Sequence, residues 1–342
     1  MIKQMKDLNW SFSKIWNKSL EQSENRPLSV RNHIWASEIG GSYLDRYLKM
    51  NAVVPSNPFE SRSLRKFEAG RVFEWIVEMV LLRAGILISK QNWLEFAYPN
   101  LLKVTGKLDH LAGGNPDYEK AKASIESEIL PDFIKRTATN VLDHFAKAYP
   151  KGLATVVLEV KSVGSQMFHR YDLYHTADRR HSLQLYHYLK ATGINEGHIV
   201  YISKDDLCLA EVAVFGDSEE MEQGYKGDIE KMTYYITHKE QPPKELPIEF
   251  DDIAGRFITN WKISYSPYLT KMYGFKNQEA FEKTVKPRVA RWNRVIGRIK
   301  DGKTMTADNN EALKDIKLAF SNLDELIELA KKSKEIEDES SD

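Results

Sequence analysis

One segment near the middle of the chain constrains the fold more than any other. Residues 155–163, TVVLEVKSV, are rich in β-branched residues and are typical of a buried strand. Because side chains alternate along a strand, Glu159 and Lys161 share one face, and Leu158 and Val160 point to the opposite face. Burying a carboxylate or an ammonium alone in such surroundings is costly. This face therefore requires a metal ion, a phosphate group or mutual pairing of the two charges.

A second carboxylate, Asp109, lies in another strand-like stretch, VTGKLDHL. If the two strands lie side by side, Asp109 and Glu159 form a paired oxygen site that suits Mg²⁺ or Mn²⁺ better than zinc. The alternative is that Asp109 ends a strand and that Glu159 and Lys161 form an ordinary ion pair. An isolated Asp with Glu-x-Lys favours that alternative, because short patterns often arise by chance.

Two predicted helices carry polar residues within apolar patterns. The first runs from about residue 63 to 84, and Glu74 interrupts its stripe of small and apolar residues. A carboxylate at that position requires a counter-charge. In the second helix, residues 178–192, Gln184 and Tyr188 lie four residues apart and therefore share a face.

The remaining pattern divides the chain into four parts. These are a helical N-terminal extension (1–34), an α/β core (35–216), a helical C-terminal region (217–330) and a disordered acidic tail (331–342). The tail is predicted from EIEDESSD, which carries five acidic and no basic residues. Residues 113–150 form a helical insertion in the core, which is either a flap over a ligand channel or a structural addition.

Charge composition limits how the chain can attract nucleic acid. There are 49 Lys and Arg against 49 Asp and Glu, so any attraction must come from local clusters. Residues 283–303 hold eight basic residues and one acidic residue. Arg291, Arg294 and Arg298 form a stripe there, which is either a solvated helix face or a contact to the DNA backbone.

Cysteine and histidine usage excludes several kinds of site. The single cysteine, Cys208, rules out an intramolecular disulfide, a four-cysteine zinc site and a cysteine-ligated iron–sulfur cluster. The histidines show no HExxH spacing, which argues against zinc. Without an apolar leader or a membrane-length apolar run, the protein is predicted to be cytoplasmic, with no membrane partner.

Taken in order along the chain, five motifs resemble the PD-(D/E)XK nuclease superfamily. They are GxxxE from Gly70 to Glu74, GKLDHL, LEVKS, QxxxY from Gln184 to Tyr188 and the strand HIVYISKDD. The resemblance covers about residues 35–215 and is strongest to the RecB-like branch, which includes Cas4-type and phage recombination exonucleases. It implies a restriction-endonuclease-like α/β core, with a central mixed sheet flanked by helices and helical additions at both ends.

Two features depart from the usual pattern of this superfamily. Leu108 precedes Asp109 where many members have proline. Cas4-type members hold an iron–sulfur cluster on four cysteines, and this chain has only Cys208. The resemblance is therefore to a branch without the cluster.

The resemblance implies specific roles for the metal-site residues. Asp109 and Glu159 would ligate Mg²⁺ or Mn²⁺ together with the backbone carbonyl of Val160. Lys161 would orient or activate the attacking water. Glu74, where many relatives carry histidine, would contact this metal or a second one.

It also implies how DNA would be held. Gln184 and Tyr188 would brace the catalytic site and touch the DNA backbone. Arg179 and Arg180, which begin the same helix, are read as phosphate neighbours or solvated groups.

These roles predict a Mg²⁺- or Mn²⁺-dependent deoxyribonuclease. Exonuclease action on DNA ends in recombination, repair or phage DNA processing is favoured. The expected partner is DNA, and a recombinase or helicase is a second candidate. One alternative is an endonuclease of the same superfamily. Another is a non-catalytic DNA-binding module, which the intact set of Asp109, Glu159 and Lys161 argues against.

Overall fold

The structure is a computed structural model that describes residues 11–24, 27–252 and 254–339. The described residues form two compact units. The first contains those of Met1–Gly41, Lys49–Val53 and Phe59–Glu240, and the second contains those of Ser42–Leu48, Val54–Pro58 and Gln241–Asp342. The boundary differs from the predicted one, because the helix after residue 217 belongs to the first unit.

The described residues contain ten strands and thirteen α-helices. The strands are β1 His33–Trp35, β2 Leu87–Lys90, β3 Trp93–Phe96, β4 Lys103–Lys107, β5 His110–Gly114, β6 Leu153–Val163, β7 Glu196–Ser203, β8 Leu209–Phe215, β9 Ile248–Asp251 and β10 Arg256–Thr259. The helices are α1 Phe12–Glu24, α2 Tyr43–Met50, α3 Ser61–Arg83, α4 Tyr118–Ser127, α5 Asp132–Ala148, α6 Ser165–Tyr174, α7 Arg179–Thr192, α8 Glu219–His238, α9 Trp261–Ser264, α10 Leu269–Tyr273, α11 Gln278–Lys300, α12 Ala307–Ala319 and α13 Leu323–Glu339.

A five-stranded mixed sheet forms the centre of the first unit. Its order is β2-β5-β6-β7-β8, with β6 and β7 parallel and the other pairs antiparallel. Leu158 and Val160 of β6 join the apolar core made with α3, α4 and α5, as the alternation predicted. Helix α7 packs on the sheet beside Gly197 of β7, where an added Cβ would lie 2.9 Å from Leu185. The fold is therefore mixed α/β, with helices flanking the sheet.

A second sheet of three strands, in the order β1-β4-β3, branches from the first. The chain passes from β2 to β3 through Gln91 and Asn92, and from β4 back to β5 through Leu108 and Asp109. These two links are hydrogen bonded: Gln91 N donates to Asp109 O at 3.1 Å, and Leu108 N donates to Asn92 O at 3.0 Å. Asp109 therefore lies at the corner between two sheets, and the prediction that it lies within a strand is wrong.

The helical segments of the first unit also refine the sequence predictions. The insertion at 113–150 forms α4 and α5, whose residues Ile125, Val141 and Phe145 are buried in the core. This insertion therefore contributes to the core. In the N-terminal extension the described helix is α1, and residues 1–10 and 25–26 lie outside the described part.

The second unit combines a β-hairpin with helices. Strands β9 and β10 pair antiparallel, within a region, residues 217–330, for which the sequence predicted mostly helix. Phe257 on β10 packs against Trp292 of α11 and against Phe320, which explains why this short hairpin is stable.

The end of the described chain also differs from its prediction. Helix α13 continues to Glu339, whereas the sequence predicted disorder from residue 331. Leu326 and Ala330 anchor this helix in the core of the second unit, and an anchored helix can extend past its buried part. Residues 340–342 of the predicted tail lie outside the described part. None of the described helices is long and apolar enough to cross a lipid bilayer.

Candidate active site

The corner at Asp109 places its carboxylate against strand β6. Asp109 Oδ2 accepts a hydrogen bond from the backbone N–H of Val160 at 2.9 Å. The β5–β6 ladder ends with His110 opposite Leu158, so the corner occupies the space beside the next residues of β6. Asp109 is therefore fixed next to Glu159 and Lys161, and the structure brings these three predicted site residues together.

Glu159 is buried in an environment that disfavours its charge. The residue is 1% exposed, Lys161 Nζ donates to its Oε1, and no described residue hydrogen bonds to its Oε2. Burial, followed by the charge of Asp109, raises the pKa of Glu159 to about 8, against the opposing effect of Lys161. One buried carboxylate oxygen is therefore left without the partner that such an atom normally has.

Lys161 is held by a chain of hydrogen bonds from helix α7. Its ammonium donates to Gln184 Oε1 at 3.3 Å, and Gln184 Nε2 donates to the Tyr188 hydroxyl at 3.3 Å. Tyr188 in turn donates to the carbonyl of Lys107 at 2.8 Å. Because Gln184 and Tyr188 lie one helical turn apart on α7, they form a continuous hydrogen-bonded chain that holds the Lys161 ammonium in place.

Electrostatics keep Lys161 charged in this position. Burial lowers the pKa of Lys161, but the charges of Glu159 and Asp109 outweigh burial, so the pKa lies above its ordinary value. Lys161 is therefore a hydrogen-bond donor and a positive charge at neutral pH rather than a proton acceptor.

Tyr188 occupies a different place from the one its predicted DNA contact needs. It is 1% exposed, and Gly106 leaves room for its ring, because a Cβ at Gly106 would lie 2.9 Å from Tyr188 Cε1. A buried side chain cannot reach a DNA backbone, so that part of the prediction is wrong. Gln184 is only partly buried and keeps access to the site.

Glu74 on α3 belongs to the same electrostatic neighbourhood. Burial, followed by the charge of Asp109, raises the pKa of Glu74 to about 7, and Lys161 and Lys107 act in the opposite direction. The Glu74 carboxylate accepts a hydrogen bond from Gln91 Nε2. Sequence reasoning missed Gln91, which reaches the site from a corner where its φ is +53° and which no sequence motif marks.

The two arginines at the start of α7 lie in different surroundings. Arg180 Nε lies 3.4 Å from Asp178 Oδ1, and its charge acts on the titration of both Lys161 and His181. Arg179 is exposed, and its guanidinium lies against Gly224 of α8. Arg180 therefore adds positive charge to the site, whereas Arg179 lies on the α8 side of the helix.

The predicted arginine stripe in the second unit is largely engaged within that unit. Arg291 forms ion pairs with Asp308 at 2.8 Å and with Glu311 at 2.9 Å, and Arg298 Nε donates to the carbonyl of Thr304 at 2.9 Å. Arg294 is exposed. Arg291 and Arg298 thus connect α11 to the segment that follows it, and Arg294 is the stripe member best placed to meet a ligand.

The carboxylate oxygens at the Asp109 corner suit a hard cation, but their side chains do not form a complete set of metal ligands. Among the described residues, no three His, Cys, Asp or Glu side chains are grouped closely enough to hold a metal ion by themselves. The side chains that meet at the corner are carboxylates, and one buried carboxylate oxygen lacks a partner. A divalent cation bound through oxygen would oppose the two causes, burial first and then repulsion from Asp109, that raise the pKa of Glu74 and Glu159.

Comparisons with known proteins add the following. No family profile and no curated protein sequence matches the chain. By structure the chain is similar to SSO0001, with a TM-score of 0.41 and 14% identity over 75% of this chain and 93% of that one. It is also similar to an alkaline exonuclease from Laribacter hongkongensis, LHK-Exo, with a TM-score of 0.34 and 11% identity over 66% and 97% of the two chains. The complex of LHK-Exo with dAMP gives a TM-score of 0.36 and 11% identity over 66% and 96%.

Proposed function

We propose that this protein is a Mg²⁺- or Mn²⁺-dependent DNA nuclease of the PD-(D/E)XK type. One observation carries the proposal. Asp109, Glu159 and Lys161, which match the motifs of that superfamily, meet at one corner of the sheet, and the buried Glu159 has an unpartnered oxygen. A protein that needed only an ion pair here would have no reason to place a third charge beside it.

Asp109 and Glu159 are the residues that would hold the cation. The Val160 N–H donates to Asp109. In an extended strand the carbonyl of a residue points to the same side as its N–H, so the Val160 carbonyl would supply a third oxygen. Glu74 would contact the cation or a second one. When bound, a divalent cation stabilises charge on phosphodiester oxygens and acidifies a water molecule.

Lys161 has a separate task in the proposed reaction. Because it stays protonated, it would donate a hydrogen bond to the attacking water or to a non-bridging phosphate oxygen as charge develops there. Gln184 orients the ammonium, and the buried Tyr188 orients Gln184. Arg180 would add positive charge for the incoming phosphate backbone.

Exonuclease action on DNA ends is the proposed subclass, and recombination, repair or phage DNA processing is the proposed setting. The test uses end-labelled linear DNA, as duplex and as single strand, and covalently closed circular duplex, each incubated with Mg²⁺, with Mn²⁺ or with EDTA. We expect metal-dependent loss of linear DNA, with the circle intact. Cleavage of the circle would make the protein an endonuclease, and stability of all three substrates in Mg²⁺ and in Mn²⁺ would refute the nuclease proposal.

Variants separate chemistry from metal binding in the same assay. Asp109→Ala and Glu159→Ala should abolish hydrolysis while the protein stays folded, because each removes one of several mutually repelling carboxylates. Lys161→Ala should abolish hydrolysis and retain Mg²⁺ binding. Near wild-type cleavage by any of the three would show that the site is assigned wrongly.

A further inference from the structure

The three-stranded sheet has one buried and one open face. Its register pairs Trp93 with Lys107, Glu95 with Thr105, Trp35 with Thr105 and His33 with Lys103. Alternation along the strands places all of these side chains on one face. The opposite face carries Ile34, Val104 and Gly106, which are buried. The open face therefore carries the two tryptophans and the charged residues of this sheet around the buried Thr105, and we call it the tryptophan face.

Two indole rings form the centre of the tryptophan face. The ring centroids of Trp35 and Trp93 lie 5.5 Å apart at an interplanar angle of 45°, and Trp93 is 61% exposed. The two rings are tilted rather than stacked on each other, and the exposure of Trp93 leaves part of its ring surface available to a further planar group. Trp93 begins the edge strand β3, so its indole is accessible to another molecule as well as to solvent.

Positive side chains surround the indoles. Lys107 Nζ lies 5.9 Å from the Trp93 ring centroid, and Arg31 lies at the same distance from Trp35. Lys103 pairs with Glu95 at 3.0 Å, and Arg31 pairs with Glu38 at 2.9 Å. Lys103 and Glu95 are both solvent-exposed, and exchange of such a surface partner for a phosphate costs little.

The tryptophan face continues directly into the candidate active site. Lys107 is two residues from Asp109, and its carbonyl accepts the hydrogen bond from Tyr188. Trp93 is opposite Lys107 and is two residues from Gln91, which hydrogen bonds to Glu74. A strand lying on this face would therefore lead to the catalytic carboxylates.

We infer that the tryptophan face binds single-stranded DNA, with an unpaired base stacked on Trp93 and a phosphate beside Lys107. Aromatic rings flanked by cations are the usual platform for unpaired nucleic acid, because every base has a π-face and every linkage carries a negative charge. Base pairs inside a duplex are already stacked and cannot cover an indole in this way. The inference rests on the proposed nuclease function only for its consequence, which is that unpaired strands are the preferred substrate.

The test measures equilibrium binding rather than cleavage. Fluorescently labelled single-stranded and blunt duplex oligonucleotides are titrated with the Asp109→Ala protein in EDTA, so that the DNA survives. Trp93→Ala in this background should weaken single-strand binding by about 5- to 150-fold, the equivalent of about 1–3 kcal/mol of base stacking. Trp93→Phe should recover much of the affinity. The matched control is Trp16→Ala, which removes a tryptophan on α1 that is 44% exposed.

Salt dependence tests the phosphate contact independently. Lys107→Gln should make the log–log slope of single-strand affinity against salt shallower by about 0.7. Because Trp93 and Lys107 are exposed, both variants should keep the thermal stability of the parent.

The outcomes separate this inference from the nuclease proposal. Single-strand binding that Trp93→Ala and Trp16→Ala leave equally unchanged would overturn the inference, even if the wild-type protein cleaves DNA. Equal losses on single strand and duplex, or no single-strand binding by the parent, would also overturn it. If Trp93→Ala weakens binding to single strands but not to duplex, the inference is supported, even for a protein that fails to hydrolyse DNA.

Discussion

Replacing Glu159 by glutamine tests the electrostatics of the site in the metal-free protein. The side chain is 1% exposed, and its pKa is raised from 4.5 to about 8. Because the folded-state pKa lies above the unfolded-state value, the folded protein binds more protons between the two values. The free energy of unfolding therefore falls as the pH rises through this window.

The size of the effect follows from the shift. One pKa unit corresponds to about 1.4 kcal/mol, so this single group should remove about 4 kcal/mol of stability between about pH 5 and about pH 9. Glu159→Gln cannot titrate and should lose this pH dependence. Lys161 increases this difference between wild type and Glu159→Gln. Without the charge of Glu159, burial of the Lys161 ammonium is less favourable, so Lys161 loses its proton more easily as the pH rises.

Urea unfolding in EDTA, followed by tryptophan fluorescence at the two pH values, measures the effect. The comparison of wild type with Glu159→Gln cancels the other titrating groups, and Glu95→Gln, at an exposed position, serves as the matched control. If the wild type and Glu159→Gln lose the same stability between the two pH values, Glu159 does not carry the raised pKa and the argument is refuted.

Three further perturbations follow from the structure. Glu74→Gln should shift the Mg²⁺ dependence of cleavage to concentrations about ten- to a hundredfold higher, and an unchanged titration would make Glu74 an ordinary helix residue. Gly106→Ala should destabilise the protein by about 1–3 kcal/mol in urea unfolding, because its Cβ would lie 2.9 Å from Tyr188 Cε1; full stability would contradict this packing. Arg294→Gln should make the salt dependence of DNA binding shallower by about 0.7–0.9 in log–log slope, whereas Arg291→Gln should leave that slope unchanged, because Arg291 is engaged by Asp308 and Glu311. An Arg294→Gln slope equal to that of the wild type would show that Arg294 contacts only solvent.

The sequence predicted those parts of the fold that depend on local periodicity. The alternation in TVVLEVKSV correctly assigned Leu158 and Val160 to the core, and the helix predicted over residues 63–84 corresponds to α3, Ser61–Arg83. Both patterns reflect burial of one face of one element, which is encoded within a few consecutive residues.

Features that depend on two distant segments were not predictable in this way. Asp109 lies at a corner because the link from β2 to β3, Gln91 and Asn92, is hydrogen bonded to the link from β4 to β5, Leu108 and Asp109. Neither link contains a turn motif. The hairpin β9–β10 is stabilised by aromatic packing onto α11 from more than thirty residues away in the chain. The sequence indicated that Asp109, Glu159 and Lys161 belong together, but the burial of Tyr188 and the role of Gln91 emerge only from the fold.

The most direct test of the central claim is the rate of Mg²⁺-dependent DNA hydrolysis by Asp109→Asn. Asparagine can keep the hydrogen bond from Val160 N–H, so the corner should stay intact while the charge is lost. The matched control is Asp143→Asn, at an exposed position on α5. We predict that Asp109→Asn hydrolyses end-labelled DNA at least about 10²- to 10³-fold more slowly than wild type, and that Asp143→Asn retains the wild-type rate. Hydrolysis by Asp109→Asn at the rate of the control would contradict a catalytic site at this corner.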